Sequence, residues 1–133
     1  MHFARIYFTF ISSKPTIMTA AARSVYYFGF YLYVMGITLI AIPNLFLTTL
    51  QLPETNEVWI RIVGVLALCL GYYYHRTGVQ NNTAFFKLTI PTRMFVFLCL
   101  TAFVILKYTS PILIGIGAID LLGAIWTMVA LKK

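Results

Sequence analysis

The sequence has little of what a water-facing surface is made of. Only 10% of its 133 residues are charged, and just three are acidic. A soluble domain carries roughly a quarter charged residues, because its surface must be wetted. A globule of this chain in water could not be covered, so its apolar residues must face something else, and lipid is the obvious solvent. Cysteine is scarce too: Cys69 and Cys99 sit in separate apolar runs, without a Cys-x-x-Cys pair or clustered histidine. They read as small buried hydrophobes, not as a thiol redox centre. The two histidines, His2 and His75, are too far apart to suggest a haem or metal site. No nucleophile–base constellation, P-loop or dinucleotide fingerprint occurs. Asp120 is the one acid inside an apolar run, which disfavours catalysis by paired carboxylates. No catalytic residue, metal ligand or cofactor is therefore assigned.

What is present is apolar. Hydrophobic residues make up 61% of the chain, aromatic residues 17%, and mean hydropathy is +0.88. At this length the chain is one domain. The net charge of +7 comes from ten Lys and Arg that sit mostly at the ends of apolar runs, where they carry topological information. No basic stripe interleaves with aromatics in a polar segment, so nucleic acid is not an expected partner.

Residues 25–133 divide into four apolar segments, at about 25–42, 58–74, 84–106 and 111–131. The first has no charge, and Pro43 ends it. Proline suits a first helical turn, so residues 43–50 (PNLFLTTL) read as a short interfacial helix. The polar stretches QLPETNE, TGVQNNT and KYTS separate the segments. The middle two have short charge-free stretches and must tolerate Arg61 and Arg93, but two spans alone would leave both in water. The expected fold is all-α: an up-down four-helix integral membrane bundle. Arg5, Lys14, Arg23, Arg76, Lys87, Lys132 and Lys133 fall on one side of it, and Lys107 on the other with Glu54 and Glu57. The positive-inside rule then puts both termini in the cytoplasm.

Residues 1–24 precede this domain. Their aromatic stretch, MHFARIYFTFISS, is too short to span and makes a poor secretory core. It reads either as an interfacial helix or as an extension ahead of a start at Met18. The sequon at Asn81–Asn82–Thr83 lies in a loop assigned to the cytoplasm and reads as a chance match.

Asp120 carries the most information. An acid in mid-membrane costs a few kcal/mol on insertion scales and faces the protein interior or a water-filled cavity. At about 100° per residue, Gly117, Gly123, Ala124 and Thr127 share its face, and small residues let helices approach closely. Counting about 1.5 Å per residue from the cytoplasmic side puts Arg93 roughly 12 Å deep and Asp120 roughly 16 Å deep. An intramembrane Arg93–Asp120 pair is expected, with Arg61 pairing Glu57 at i, i+4 at the outer boundary. Such a buried pair can serve either to fix helix register or to hold a ligand or proton. Gly64 and Gly71, on the face of Arg61, read as a close helix contact.

Several stretches carry a family likeness: Pro43 with LFLTTL, VWIRIVGVLALCLGYYY at 58–74, the Arg93 entry into the third helix, and GAIDLLGAIWTMVALKK at 117–133. In these the chain resembles the DoxX-like superfamily of small four-helix bacterial membrane proteins. The resemblance implies a bundle in the bacterial inner membrane, often an accessory to a redox or lipid-linked system, and transfers no catalytic residue.

The leading expectation is a non-catalytic accessory protein that binds a lipid-like or quinone-like molecule among aromatic walls and a polar centre of Asp120, Arg93, Arg61 and Thr127. A membrane-protein partner or a second copy would pack on the small-residue faces. A proton-coupled small-molecule transporter is the alternative, although small multidrug exporters carry their acid in the first helix and this chain does not. A membrane-embedded isomerase, which wants two facing acids, and a redox accessory subunit complete the alternatives.

Overall fold

The structure is a computed structural model that describes the backbone of residues 2–11, the side chains of residues 2–7, and residues 17–133 in full. Lys14, one of the charges used for orientation, lies outside the described residues, as do Ser12 and Ser13 of the N-terminal aromatic stretch. All regular structure among the described residues is helical: α1 (His2–Ile11), α2 (Ala20–Ala41), α3 (Pro43–Thr49), α4 (Trp59–Val79), α5 (Thr83–Ile105) and α6 (Leu113–Leu131). By length and composition α2, α5 and α6 can each cross a membrane. Helix α4 is long enough, but Arg61, its run of tyrosines, His75 and Arg76 lower its apolar content.

Helix ends follow local chemistry. Thr19 caps α2 by accepting from the Ala22 amide, and Asn82 caps α5 by accepting from the Phe85 amide. These side chains satisfy donors that a helix start leaves without partners. Asn81 turns the chain with φ 51°. Its side chain accepts from the Thr19 amide at 2.9 Å and donates to the Ile17 carbonyl at 3.1 Å, tying the entrance of α2 to the α4–α5 turn. The Asn-Asn-Thr sequon is thus occupied by a turn residue and a helix cap. Pro43 breaks α2 and opens α3.

Helix α2 is the hub: it packs along α4 on one side and α6 on the other, and α5 packs on α6. The α2–α4 seam is built from small residues seven apart. Gly78 meets Ala22, Gly71 meets Gly29, and Gly64 meets Gly36. That order makes the helices antiparallel, and the heptad spacing keeps one stripe of each facing the other. Gly36 and Gly64 are so close that a Cβ on Gly36 would stand 2.7 Å from the Gly64 carbonyl oxygen. Gly117 makes room for Phe97 on α5 in the same way.

Two apolar clusters cap the ends. One gathers Ala21, Ala22, Val25, Phe28, Tyr74 and Phe86, and the other Leu39, Leu47 and Ile60 beneath α3. The outer surface is apolar almost throughout, with Val34, Ile37, Leu66, Phe95, Leu98, Leu122 and Ile125 all exposed. The largest side chain enclosed almost completely is an arginine, Arg93, at 2% exposure. Apolar groups outward and a cation inward is the arrangement expected of a protein dissolved in lipid.

Candidate functional site

The site grows from Arg93 on α5. Long helical side chains lean toward their helix N-terminus, and this one does: its Nη2 donates to Thr89 Oγ1, one turn back, at 3.2 Å. The same nitrogen donates to Thr127 Oγ1 of α6, also at 3.2 Å. Thr127 is fully buried and lies 2.8 Å from the Ser24 hydroxyl of α2. Arg93 therefore joins α5, α6 and α2 through a chain of hydroxyls. The guanidinium carbon lies 4.3 Å from the centre of the Phe28 ring and 5.3 Å from that of Tyr74. Aromatic faces favour a cation at these distances. Gly123 completes the seat, since a Cβ there would come within 2.7 Å of Nη1.

Nε and Nη1 of Arg93 are buried and have no hydrogen-bond partner. Such donors are costly when left bare, all the more on a charged group. Arg93 also lines a cavity of about 330 Å³, with Phe28 and Leu32 of α2, Leu70 and Tyr74 of α4, Thr89 and Val96 of α5, and Asp120 of α6. A smaller cavity of about 270 Å³ lies across Phe28, between α2 and α6, against Ser24, Tyr31, Gly123 and Trp126. Phe28 borders both.

Asp120 is half-buried, lines the larger cavity and makes no hydrogen bond with any described residue. The expected Arg93–Asp120 ion pair does not form: the two share the cavity, but no nitrogen–oxygen contact within 4.0 Å joins them. The reason is direction. Arg93 runs back along α5 to the level of Thr127, two turns along α6 from Asp120. The Glu57–Arg61 pair is absent as well. Helix α4 begins at Trp59, so Glu57 never takes helical spacing to Arg61. Glu57 instead accepts from the Trp59 indole at 2.6 Å, and Arg61 donates to the Ile40 carbonyl. Ile40 lies in the last turn of α2, where carbonyls lack helical partners and a cation is favoured.

Of the residues singled out from sequence, the structure brings Arg93, Thr127, Gly123 and Asp120 to one place. Ala124 is buried at 1% exposure on the same helix. Gly64, Gly71 and Gly117 lie in helix contacts, and Arg61 sits at the opposite end beside a separate hollow lined by Asn44, Thr55 and Glu57. Ser24, Phe28, Tyr74 and Thr89 were not anticipated. Thr89 carried a readable signal, since it precedes Arg93 by one helical turn. Among the described residues no three of His, Cys, Asp and Glu gather where a metal could bind. His75 stands among Tyr26, Phe30 and Tyr33, with ring centres 4.8 to 6.0 Å away.

Compared with protein-family models, with curated proteins and with solved structures, the chain matches none.

Proposed function

We propose that this chain is a four-span membrane protein with both termini in the cytoplasm, non-catalytic, which holds a lipid-like or quinone-like molecule at the Arg93–Asp120 cavity. The observation that carries the reading is a buried guanidinium with two unpartnered nitrogens, on a residue that lines a cavity together with Asp120. A polar centre inside aromatic and aliphatic walls suits a molecule with a polar head and an apolar body.

Four crossings are supported by the α2–α4 seam. From Ala22·Gly78 to Gly36·Gly64 the helices stay paired over a rise of about 21 Å at 1.5 Å per residue. A helix bound so closely along a spanning neighbour spans with it. Ile62, Val63, Val65 and Leu66 give α4 an exposed apolar face for lipid. Arg23, Arg76, Lys87, Lys132 and Lys133 lie toward the end where α2 starts and α6 finishes, while Lys107 and Arg61 lie toward the other with Glu54 and Glu57. That asymmetry supports cytoplasmic termini. The DoxX-like resemblance adds the bacterial inner membrane as the location.

The test is untargeted mass spectrometry of protein extracted gently from native membrane, comparing wild type with Asp120→Asn and Arg93→Gln. A molecule kept by wild type and lost from both variants is the expected result. If wild type keeps nothing beyond bulk lipid, the binding function is wrong. For topology, Asn56→Cys should react with an impermeant maleimide from outside intact cells and Gln80→Cys only after permeabilisation. The reverse pattern overturns the orientation.

A further inference from the structure

The cavity beside Arg93 has a direction. Helices α4 and α5 meet near their connecting turn, where Tyr74 and Phe85 make an edge-on ring contact with centres 5.3 Å apart. Beyond it they make little contact, in contrast to the α2–α4 and α5–α6 pairs. The cavity lies in this gap, and Leu70 and Leu88 on its rim are exposed on the apolar outer surface at 49% and 66%. Its opening therefore faces where hydrocarbon chains run, not either aqueous side.

Resting on the ligand-binding reading above, we infer that the α4–α5 gap is a lateral entrance for one hydrocarbon chain of an uncharged amphiphile, whose head both accepts and donates a hydrogen bond between Arg93 and Asp120. The volume fits one chain: about 330 Å³ is at the small end of ligand sites. It holds a small head and the first carbons, leaving the remaining chain in the bilayer past Leu70, Leu88 and Val96. The charges argue for a neutral head. A cation sits at one wall and a carboxyl at the other without pairing. An anionic head would crowd the Asp120 carboxyl and a cationic head would crowd Arg93. A hydroxyl beside a carbonyl, as in a monoacylglycerol, offers an acceptor to the bare Arg93 nitrogens and a donor to Asp120, where a quinone offers only acceptors. Phe28 covers the guanidinium from the α2 side, so full engagement of Nε and Nη1 requires that ring to turn.

The experiment uses the full chain in phosphatidylcholine nanodiscs with a monoacylglycerol that carries a diazirine on its acyl chain. Photolabelling should concentrate on Leu70, Leu88 and Val96. Val96→Trp, which fills the mouth, should cut labelling about ten-fold, while Leu98→Trp on the outer face should leave it unchanged. Leu70→Trp narrows the same mouth from α4 and gives a second reading if Val96→Trp does not fold. Unlabelled monoacylglycerol should compete about ten-fold better than the fatty acid of equal chain length or a short-chain quinone. If either of those competes better, the neutral two-way head is wrong while the binding function stands. Labelling spread evenly over Phe95, Leu98 and Leu122, and indifferent to the mouth variants, overturns the lateral entrance. That pattern, together with an empty wild type in mass spectrometry, removes the binding function as well.

Discussion

Gly29 and Gly71 face each other across the α2–α4 seam so closely that a Cβ on either would stand 3.0 Å from the other's carbonyl oxygen. Lipid tails are as apolar as leucine, so helices in a bilayer gain little from hiding apolar surface against each other. Close backbone approach and the dispersion it permits take that place. The Gly36·Gly64 pair is tighter still.

Gly36→Ala should therefore cost more than Gly29→Ala. The new methyl at position 36 meets backbone and Leu68 at 2.7 Å, whereas at 29 the nearest atoms are 3.0 Å away. A loss of about 1–3 kcal/mol is expected for Gly36→Ala, in the range of overpacked contacts. Gly115→Ala, with no atom within 4 Å of the added carbon, should be neutral. Unfolding in mixed micelles reads all three, and a neutral Gly36→Ala would show that the seam is not close-packed.

Arg93 should be a liability for stability and an asset for binding. Burying a cation that no carboxylate pairs carries a desolvation cost, which an apolar residue of similar length removes. Arg93→Met should thus match or exceed wild type in the same unfolding measurement while losing whatever the cavity retains. Thr127→Val should go the other way, losing about 1–3 kcal/mol, because it leaves Arg93 and Ser24 without a shared partner. Strong destabilisation in Arg93→Met would make the arginine structural.

Arg61 and Glu57 should behave as strangers. Each has its own partner, the Ile40 carbonyl for one and the Trp59 indole for the other. The effects of Arg61→Ala and Glu57→Ala should add to within about 0.3–0.5 kcal/mol in a double-mutant cycle. A larger coupling would restore the ion pair that their spacing suggests.

How much of this was legible in the sequence differs with scale. Helical spans show in hydropathy because lipid imposes length and apolar content together. Helix α2 starts at Ala20, five residues before its expected start, because polar Arg23 and Ser24 hid its first turns. Helix α4 runs on to Val79 through His75 and Arg76, and Gly78 there extends the heptad of Gly64 and Gly71. Gly29 and Gly36 on α2 share that spacing and meet it in the structure, a signal that the reading of Gly64 and Gly71 left unused. The Arg93–Asp120 pair failed for a different reason. A count of depth along each helix leaves out that a helical side chain leans toward its N-terminus, and Thr89 and Thr127 lie that way. Phe28 and Tyr74 could not be found at all, because nothing in an apolar run marks which ring will lie over a cation.

Gly123 separates fold from site. The atom nearest an added methyl there is Nη1 of Arg93, the far end of a flexible side chain, and the next is the edge of the Phe28 ring at 3.2 Å. Both can shift without moving backbone, so Gly123→Ala should unfold within about 1 kcal/mol of wild type, well below the overpacking cost expected at Gly36. The shift nevertheless pushes the guanidinium off its seat between Phe28 and Thr127. Retention of the cavity's occupant should fall in Gly123→Ala as it does in Arg93→Gln, although every group that touches the occupant is still present. Mass spectrometry of the gently extracted variant reads this directly. Wild-type retention in Gly123→Ala would mean that the exact placement of Arg93 does not matter to binding, and the site would have to be centred on Asp120 alone.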